Sequence, residues 1–198
     1  IDKHVKGADV PDVPEVSLFD MQNSKWQTYS QYPPSGVSQV DLNLGEFADG
    51  DTSKVRKAES RSADKVAQFD IPVNSNVKVT GTPKLQLDVD PKGEESILYF
   101  NLYDKGVFEG ISINDQTFAY RVRGGERRTI ELELTAMMHE IESGRTLRLE
   151  IDARDIGYMD SRVSEGTVIH HSGSKLMLPL EKGSAEDLQP SGGLFDLF

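Results

Sequence analysis

The chain has 198 residues, a formal net charge of −11 and no cysteine. This length is typical of a single all-β domain. The absent thiols exclude disulfides, thiolate metal sites and a cysteine nucleophile. The excess of 33 acidic over 22 basic side chains disfavours nucleic acid or an anionic membrane as a partner, because phosphate contacts need clustered lysines and arginines.

No apolar run approaches the roughly 20 residues of a membrane span, and no signal peptide is visible. The absence of cysteine is typical of cytoplasmic proteins and also occurs in secreted bacterial ones, so the cytoplasm is favoured and the compartment stays open. The sequence starts at Ile1, and its first residues resemble the end of a longer element. We therefore expect a fragment of a larger protein.

Residues 1–50 are predicted to form a loop-rich lead-in segment, which four prolines punctuate. Within it, residues 15–20 and 39–44 read as short strands. Trp26 and Tyr29 belong to the aromatic part of this segment.

Residues 51–183 are predicted to form an all-β sandwich with little helix. After a polar stretch at residues 49–64, which predicts a long surface loop, short apolar segments are separated by Gly, Pro, Asn and Asp. The predicted strands are residues 77–80, 84–90, 96–104, 117–123, 128–134, 146–152, 167–171 and 174–180. The helical signal is confined to residues 135–143, with Thr135 as a cap and Gly144 as a stop. Short strands at this spacing indicate an antiparallel sandwich or barrel.

Residues 184–198 are predicted to form a C-terminal tail, in which a polar linker is followed by large apolar residues. These are Leu194, Phe195, Leu197 and Phe198. They either pack back onto the sandwich or form an interface with another domain or a second copy.

The chain lacks the nucleophile elbow of an α/β-hydrolase. That motif, G-x-S-x-G, lies on a sharp turn between a strand and a helix. The strings "GVS" at residues 36–38 and "GIS" at residues 110–112 have neither the closing glycine nor a following helix.

The histidines do not have the spacing of a metal site. His139 is a lone histidine of the kind that is usually structural or exposed, and Ser143 stands where the second His of H-E-x-x-H would be. His170 and His171 are adjacent at a predicted strand end, so their side chains point to opposite faces. No metal and no cofactor is expected.

Two charged stretches leave alternatives open. The run "DVDPKGEE" at residues 88–95 lacks EF-hand spacing, so a solvated turn is favoured over a calcium site. After the predicted strand at residues 146–152 come Asp155, Tyr158 and Arg162, which form either a structural corner or a pocket rim that bridges to a neighbouring domain.

Several motifs occur in an order and spacing that are specific when taken together. A glycine precedes a strand of the form G-x-x-L-x-L-x-I, a D-x-x-Y corner follows, and the last strand ends in L-x-L-P. The matching residues are Gly144, Leu147, Leu149 and Ile151, then Asp155 and Tyr158, then Leu176, Leu178 and Pro179. Upstream, a single Trp precedes a Pro-Pro pair. The chain resembles the C-terminal domain of the Xaa-Pro dipeptidyl-peptidases and the related cocaine esterase-type serine hydrolases.

The resemblance implies a jelly-roll β-sandwich like that of galactose-binding modules. It places the catalytic Ser, Asp and His in an α/β-hydrolase domain that this chain lacks, so no catalytic residue is assigned, and His4 resembles a position downstream of the family's catalytic His. The chain would be a non-catalytic domain of a dipeptidyl-peptidase or acyl esterase, serving domain packing, substrate-entrance shaping or oligomerisation. Its partners would be the catalytic domain of the same chain and a second copy. The interface candidates are Trp26, Tyr29, Asp155, Tyr158, Arg162, Leu194, Phe195 and Phe198.

The alternative is a stand-alone carbohydrate- or surface-binding module, since a jelly roll does not by itself define a function. Glycan binding by the isolated chain, abolished by changing Trp26 or Tyr158, would favour that alternative.

Overall fold

The computed structural model describes residues 16–20, 22–107, 110–113, 117–155 and 163–190. These residues form strands joined by turns and by short 3₁₀ helices. The strands are β1 (Val16–Asp20), β2 (Lys25–Tyr29), β3 (Ser38–Asn43), β4 (Thr52–Val55), β5 (Ala67–Pro72), β6 (Val77–Gly81), β7 (Lys84–Pro91), β8 (Glu95–Lys105), β9 (Gly110–Ser112), β10 (Phe118–Arg123), β11 (Arg128–Glu133), β12 (Met137–Ile141), β13 (Thr146–Asp152) and β14 (Thr167–Lys182). The 3₁₀ helices are Leu44–Glu46, Arg61–Ala63 and Ala185–Leu188.

Two antiparallel sheets form the sandwich, and a separate hairpin lies beside them. The five-stranded sheet has the order β10-β8-β13-β5, with β9 paired to β8. The seven-stranded sheet has the order β11-β7-β14-β6-β12, and β3 and β4 also pair with β14. Strands β1 and β2 form the hairpin. The predicted all-β sandwich is confirmed, while its assignment as a galactose-binding-like jelly roll stays a prediction.

The core lies between the inward faces of the two sheets. In β13, the buried residues Leu147, Leu149 and Ile151 alternate with charged residues, as a strand with one face inside requires. In β7 of the other sheet, Leu85 and Leu87 are buried in the same alternation. These side chains belong to one cluster, so the two sheets share a single core.

Strand β14 runs without interruption where the sequence predicts two strands. Its buried positions are odd-numbered up to His171 and even-numbered from Ser174 onward. The register against β7 shifts between His170 and Lys175, so a bulge changes the phase of the alternation. A Cβ on Gly173 would lie 2.6 Å from Oδ2 of Asp88, which makes glycine necessary at the bulge.

The helix predicted at residues 135–143 is wrong. Met137–Ile141 form β12, which pairs with β6 at the edge of the seven-stranded sheet. A helix of two turns is marginal by itself, whereas the strand gains a backbone ladder and buries His139 and Ile141. Gly144, with a φ of 81°, lies in the turn before β13.

The long surface loop predicted at residues 49–64 contains β4, which pairs with the first part of β14. Strands β2 and β5 have no predicted counterpart, although Ala67, Phe69 and Ile71 of β5 are buried in clear alternation. Strand β3 also pairs with β14. The sandwich therefore includes residues on both sides of the predicted boundary at residue 50.

A buried ionic cluster connects the two sheets at one end of the core. Asp104 of β8 lies in the five-stranded sheet, and His139 of β12 lies in the other. Nε2 of His139 is 2.9 Å from Oδ2 of Asp104, and Nε of Arg145 donates to Oδ1 at 2.5 Å. The side chains of Asp104 and His139 are both 5% exposed. If one of them is removed, bulk water therefore does not hydrogen-bond the other in its place.

We expect Asp104→Ala to lower the free energy of unfolding by about 3–5 kcal/mol, because it removes the carboxylate that the buried His139 and the partly buried Arg145 both contact. Urea unfolding measures this difference. The matched control is Asp70→Ala on the same sheet, where a half-exposed Asp pairs with Arg148 and the expected loss is at most about 1 kcal/mol. Equal losses at the two positions would contradict a special role for the cross-sheet cluster.

Candidate functional site

Two of the three histidines in the described part of the chain, His139 and His171, serve the fold. His139 is held in the cross-sheet cluster. His171 is 1% exposed, with Nδ1 2.8 Å from the carbonyl oxygen of Gly50 and Nε2 2.9 Å from Oγ of Ser53. This Ser–His pair has the hydrogen-bond geometry of a nucleophile and its base, but the imidazole is buried and its other nitrogen is bonded to a backbone carbonyl, so it holds the segment of Gly50 and Ser53 against β14. His4 lies outside the described residues.

The described residues offer no set of ligands for a metal. No group of three or more His, Asp or Glu side chains among them could hold an ion. In the charged run at residues 88–95, Arg127 binds Asp88 through two hydrogen bonds of 2.8 and 2.5 Å, and Lys92 pairs with Asp90 at 2.5 Å. Cations of the protein itself thus occupy these two carboxylates. Among all the residues that the structure describes, no helix is long and apolar enough to cross a membrane.

The corner after β13 is held by an ion pair to a distant segment. Nε of Arg154 donates to Oδ2 of Asp64 at 2.7 Å, and Nη2 donates to the carbonyl oxygen of Ala58 at 3.1 Å. The hydrogen bond from Arg154 holds the pKa of Asp64 below its ordinary value. Oγ1 of Thr117 donates to Asp155 at 2.8 Å. These contacts give the described part of the corner a structural role.

The hairpin of β1 and β2 presents two different faces. Val16, Leu18 and Asp20 alternate with more exposed residues along β1, and they face the sandwich. The opposite face carries Phe19 and Trp26, which are directly paired across the two strands. Their ring centroids are 5.1 Å apart at an interplanar angle of 55°.

Polar contacts fasten the hairpin to the edge strand β12. The side-chain amide of Gln22 donates to the carbonyl oxygen of Glu140 at 2.7 Å and accepts from the N–H of Glu140 at 2.8 Å. The amide therefore acts as a single ladder residue on an edge that would otherwise be open. Within the turn, Asp20 accepts two hydrogen bonds from Asn23. Although burial opposes its ionisation, these bonds hold the pKa of Asp20 below its ordinary value.

On the other strand of the hairpin, the hydroxyl of Tyr29 donates to Oε1 of Gln27 at 3.2 Å. Tyr29 also lies close to Glu181, the carboxylate that accepts from Lys78 at 2.8 Å and from Thr80 at 2.7 Å. Burial opposes ionisation of Glu181, but these donors hold its pKa below the ordinary value. Burial, followed by the nearby Glu181 charge, raises the pKa of Tyr29. Tyr29 thus lies on the attached face of the hairpin, opposite Trp26.

The outward face of the hairpin leaves a large aromatic surface in water. Trp26 is 68% exposed and Phe19 is 36% exposed. Trp26 is the one tryptophan of the chain. An aromatic pair held outside the core by a polar framework is typical of an interaction surface.

The sequence matches a known family over most of its length. The family model of the X-Pro dipeptidyl-peptidase C-terminal non-catalytic domain matches residues 8–173. The chain belongs to this family. The resemblance identified from the motifs is thereby confirmed. None of the curated proteins matches the chain.

Solved structures share the fold at low sequence identity. A CocE/NonD family hydrolase from Staphylococcus aureus has a TM-score of 0.63 at 14% identity, over 90% of this chain and 44% of that chain. An aminopeptidase from a marine sediment Thaumarchaeota archaeon has a TM-score of 0.60 at 13% identity, over 90% and 42%. An alpha-amino acid ester hydrolase has a TM-score of 0.55 at 11% identity, over 90% and 43%. The chain spans less than half the length of these proteins.

The predicted interface residues fall into two groups. Trp26, Tyr29 and Asp155 are described, and the structure places Trp26 and Tyr29 on opposite faces of one hairpin. The others lie outside the described residues. They are Tyr158, Arg162, Leu194, Phe195 and Phe198. Phe19 was missed, although its position in a predicted strand next to a Trp-containing segment could have indicated the aromatic pair.

The Asp64–Arg154 pair predicts a pH-dependent contribution to stability. Because the folded-state pKa of Asp64 is lowered, this contribution is complete above the unfolded pKa of about 3.9 and is lost as the pH falls through the folded value. We expect Arg154→Ala to reduce the free energy of unfolding near neutral pH, and the difference from wild type to shrink as the pH falls below about 3.9. Urea unfolding over this pH range measures it. Arg121→Ala, an exposed Arg 3.7 Å from Glu95, is the control, and a difference independent of pH would contradict the assignment.

The contact between Gln22 and β12 predicts local protection from solvent exchange. A net hydrogen bond contributes about 0.5–1.5 kcal/mol, so Gln22→Ala should accelerate exchange of the Glu140 amide roughly two- to tenfold. Amide hydrogen exchange measured by NMR reports this change. The neighbouring amides of His139 and Ile141 point toward β6 and should not respond. Unchanged exchange at Glu140 would show that another group protects this edge.

Proposed function

We propose that this chain is the non-catalytic C-terminal β-sandwich of a serine hydrolase whose α/β-hydrolase domain lies in the same protein. The family match over residues 8–173 carries the proposal. The proteins with similar structures are hydrolases more than twice as long as the matched region. The absence of a nucleophile elbow from the sequence agrees with catalysis elsewhere in the protein.

The reaction we propose for the whole protein is acyl transfer to water by a Ser–His–Asp triad. The substrates are peptides with proline in the second position, or acyl esters. The sandwich would act by burying a flank of the catalytic domain and by shaping the entrance to its substrate site. Such a role demands a rigid body, which the cross-sheet cluster and the single core of this chain supply.

Full-length protein and isolated chain should differ in activity. We expect the native protein in its source cells to have a mass far above 22.0 kDa. It should hydrolyse a Xaa-Pro chromogenic peptide or a simple ester, and a fluorophosphonate should label it because that reagent reacts with an activated serine. The isolated chain should show neither property. It therefore serves as the matched control for adventitious hydrolysis by the preparation.

Two outcomes would overturn the proposal. A native mass near 22.0 kDa, with no separate catalytic subunit, would rule out that the chain is part of a larger hydrolase. A larger protein that neither reacts with the fluorophosphonate nor hydrolyses either substrate would remove the serine chemistry while leaving the family assignment intact.

A further inference from the structure

The Phe19–Trp26 surface is the largest exposed aromatic feature of the described residues. Trp26 and Phe19 are the two aromatic members of the exposed face, and the polar residues Ser17 and Thr28 flank them on the same face. An apolar centre with a polar rim is the usual anatomy of a protein–protein contact. Tryptophan is also the residue type most often found at the energetic centre of such contacts.

The sandwich does not use this surface for its own packing. Its contacts with the hairpin are made by the opposite face, where Gln22 hydrogen-bonds Glu140 and Tyr29 lies close to Glu181. These anchors fix the position of the aromatic pair before any partner arrives. A preorganised contact surface loses less conformational entropy on binding than a mobile one.

The size of the surface constrains the kind of contact. A buried aromatic side chain removes about 150–250 Å² from water, whereas a stable interface buries about 800 Å² on each partner. The pair is therefore the anchor of a larger contact. It requires an apolar recess with a hydrogen-bond acceptor for the indole N–H, since a buried Trp N–H needs a partner.

We infer that the Phe19–Trp26 face docks onto the catalytic domain of the same protein, an inference that rests on the proposed function. The matched family is a C-terminal domain, so a catalytic domain would precede it in sequence. The hairpin precedes every described strand of the two sheets in sequence, so it is closer to that domain along the chain than they are. The similar hydrolases have chains of which this fold covers 42–44%, which leaves room for such a partner.

Photo-crosslinking from the docking face tests the inference in the full-length protein. A benzoylphenylalanine in place of Trp26 keeps an aromatic ring at the site, so the hairpin retains its shape. The matched control carries the same group in place of Val163, which is 58% exposed. Val163 precedes β14, whereas the hairpin is attached near Glu181 at the far end of that strand.

We expect illumination to join position 26 to a peptide of the catalytic domain, in a product with the mass of one chain. The same product should be absent from the Val163 variant. A product of doubled mass would assign the face to a second copy, and crosslinks confined to the sandwich or none at all would leave the face without a partner. Each of these overturns the inference.

The outcome is independent of catalytic activity. Crosslinking to the preceding domain in a protein that shows no hydrolysis would support the docking inference and contradict the proposed hydrolase function. Hydrolysis without the crosslink would contradict the docking inference alone.

Discussion

The seven-stranded sheet depends on the phase change within β14. Side chains in a strand alternate between faces, so a change of one residue in register sends every later side chain to the opposite face. Thr167, Ile169 and His171 face the core before the bulge, and Leu176 and Leu178 face it afterwards. Without the bulge, one of these two sets would point into water.

That single bulge organises the rest of the sheet. The part of β14 before it pairs with β4 and β7, and the part after it pairs with β3, β6 and again β7. Residues from the start, the middle and the end of the chain therefore meet on one strand. The close approach of Gly173 to Asp88 is possible because glycine has no Cβ. Asp88 is in turn held by Arg127, so the bulge and the ionic contact form one unit.

Several strands with one buried face could be predicted from the sequence because their alternation is local information, although β5, with the same alternation, was not predicted. This holds for β7, β11 and β13, where apolar residues recur at every second position. The secondary structure of residues 137–141, which form β12, could not be predicted in this way. Its segment "MMHEI" fits a short helix as well as a strand, and the pairing with β6 and the contact of His139 with Asp104 come from distant residues.

The same distinction applies to the candidate site. Trp26 could be identified by its residue type, and the three-residue spacing to Tyr29 places the two on opposite faces once that segment is a strand. Its exposure could not be predicted, because it depends on the hydrogen bonds of Gln22 to β12 and on the position of the other face near Glu181 of β14. The hydrogen-bond partner of Asp155 could not be predicted either, since Thr117 comes from a distant segment of the chain.

The way in which polar and aromatic groups are distributed connects the fold to its proposed role. The side chains with catalytic potential are used internally, since His139 bridges the two sheets and His171 closes onto Gly50 and Ser53. The aromatic pair of the hairpin, by contrast, is exposed, because the hydrogen-bonded hairpin keeps it outside the core. Packing alone would have favoured burying a tryptophan, at about 25 cal/mol for each Å² of apolar surface removed from water. A hairpin that keeps Trp26 in water is therefore held by its other face, through the hydrogen bonds of Gln22 and the partly buried Val16 and Leu18. The unburied apolar surface remains as a driving force for association with a partner.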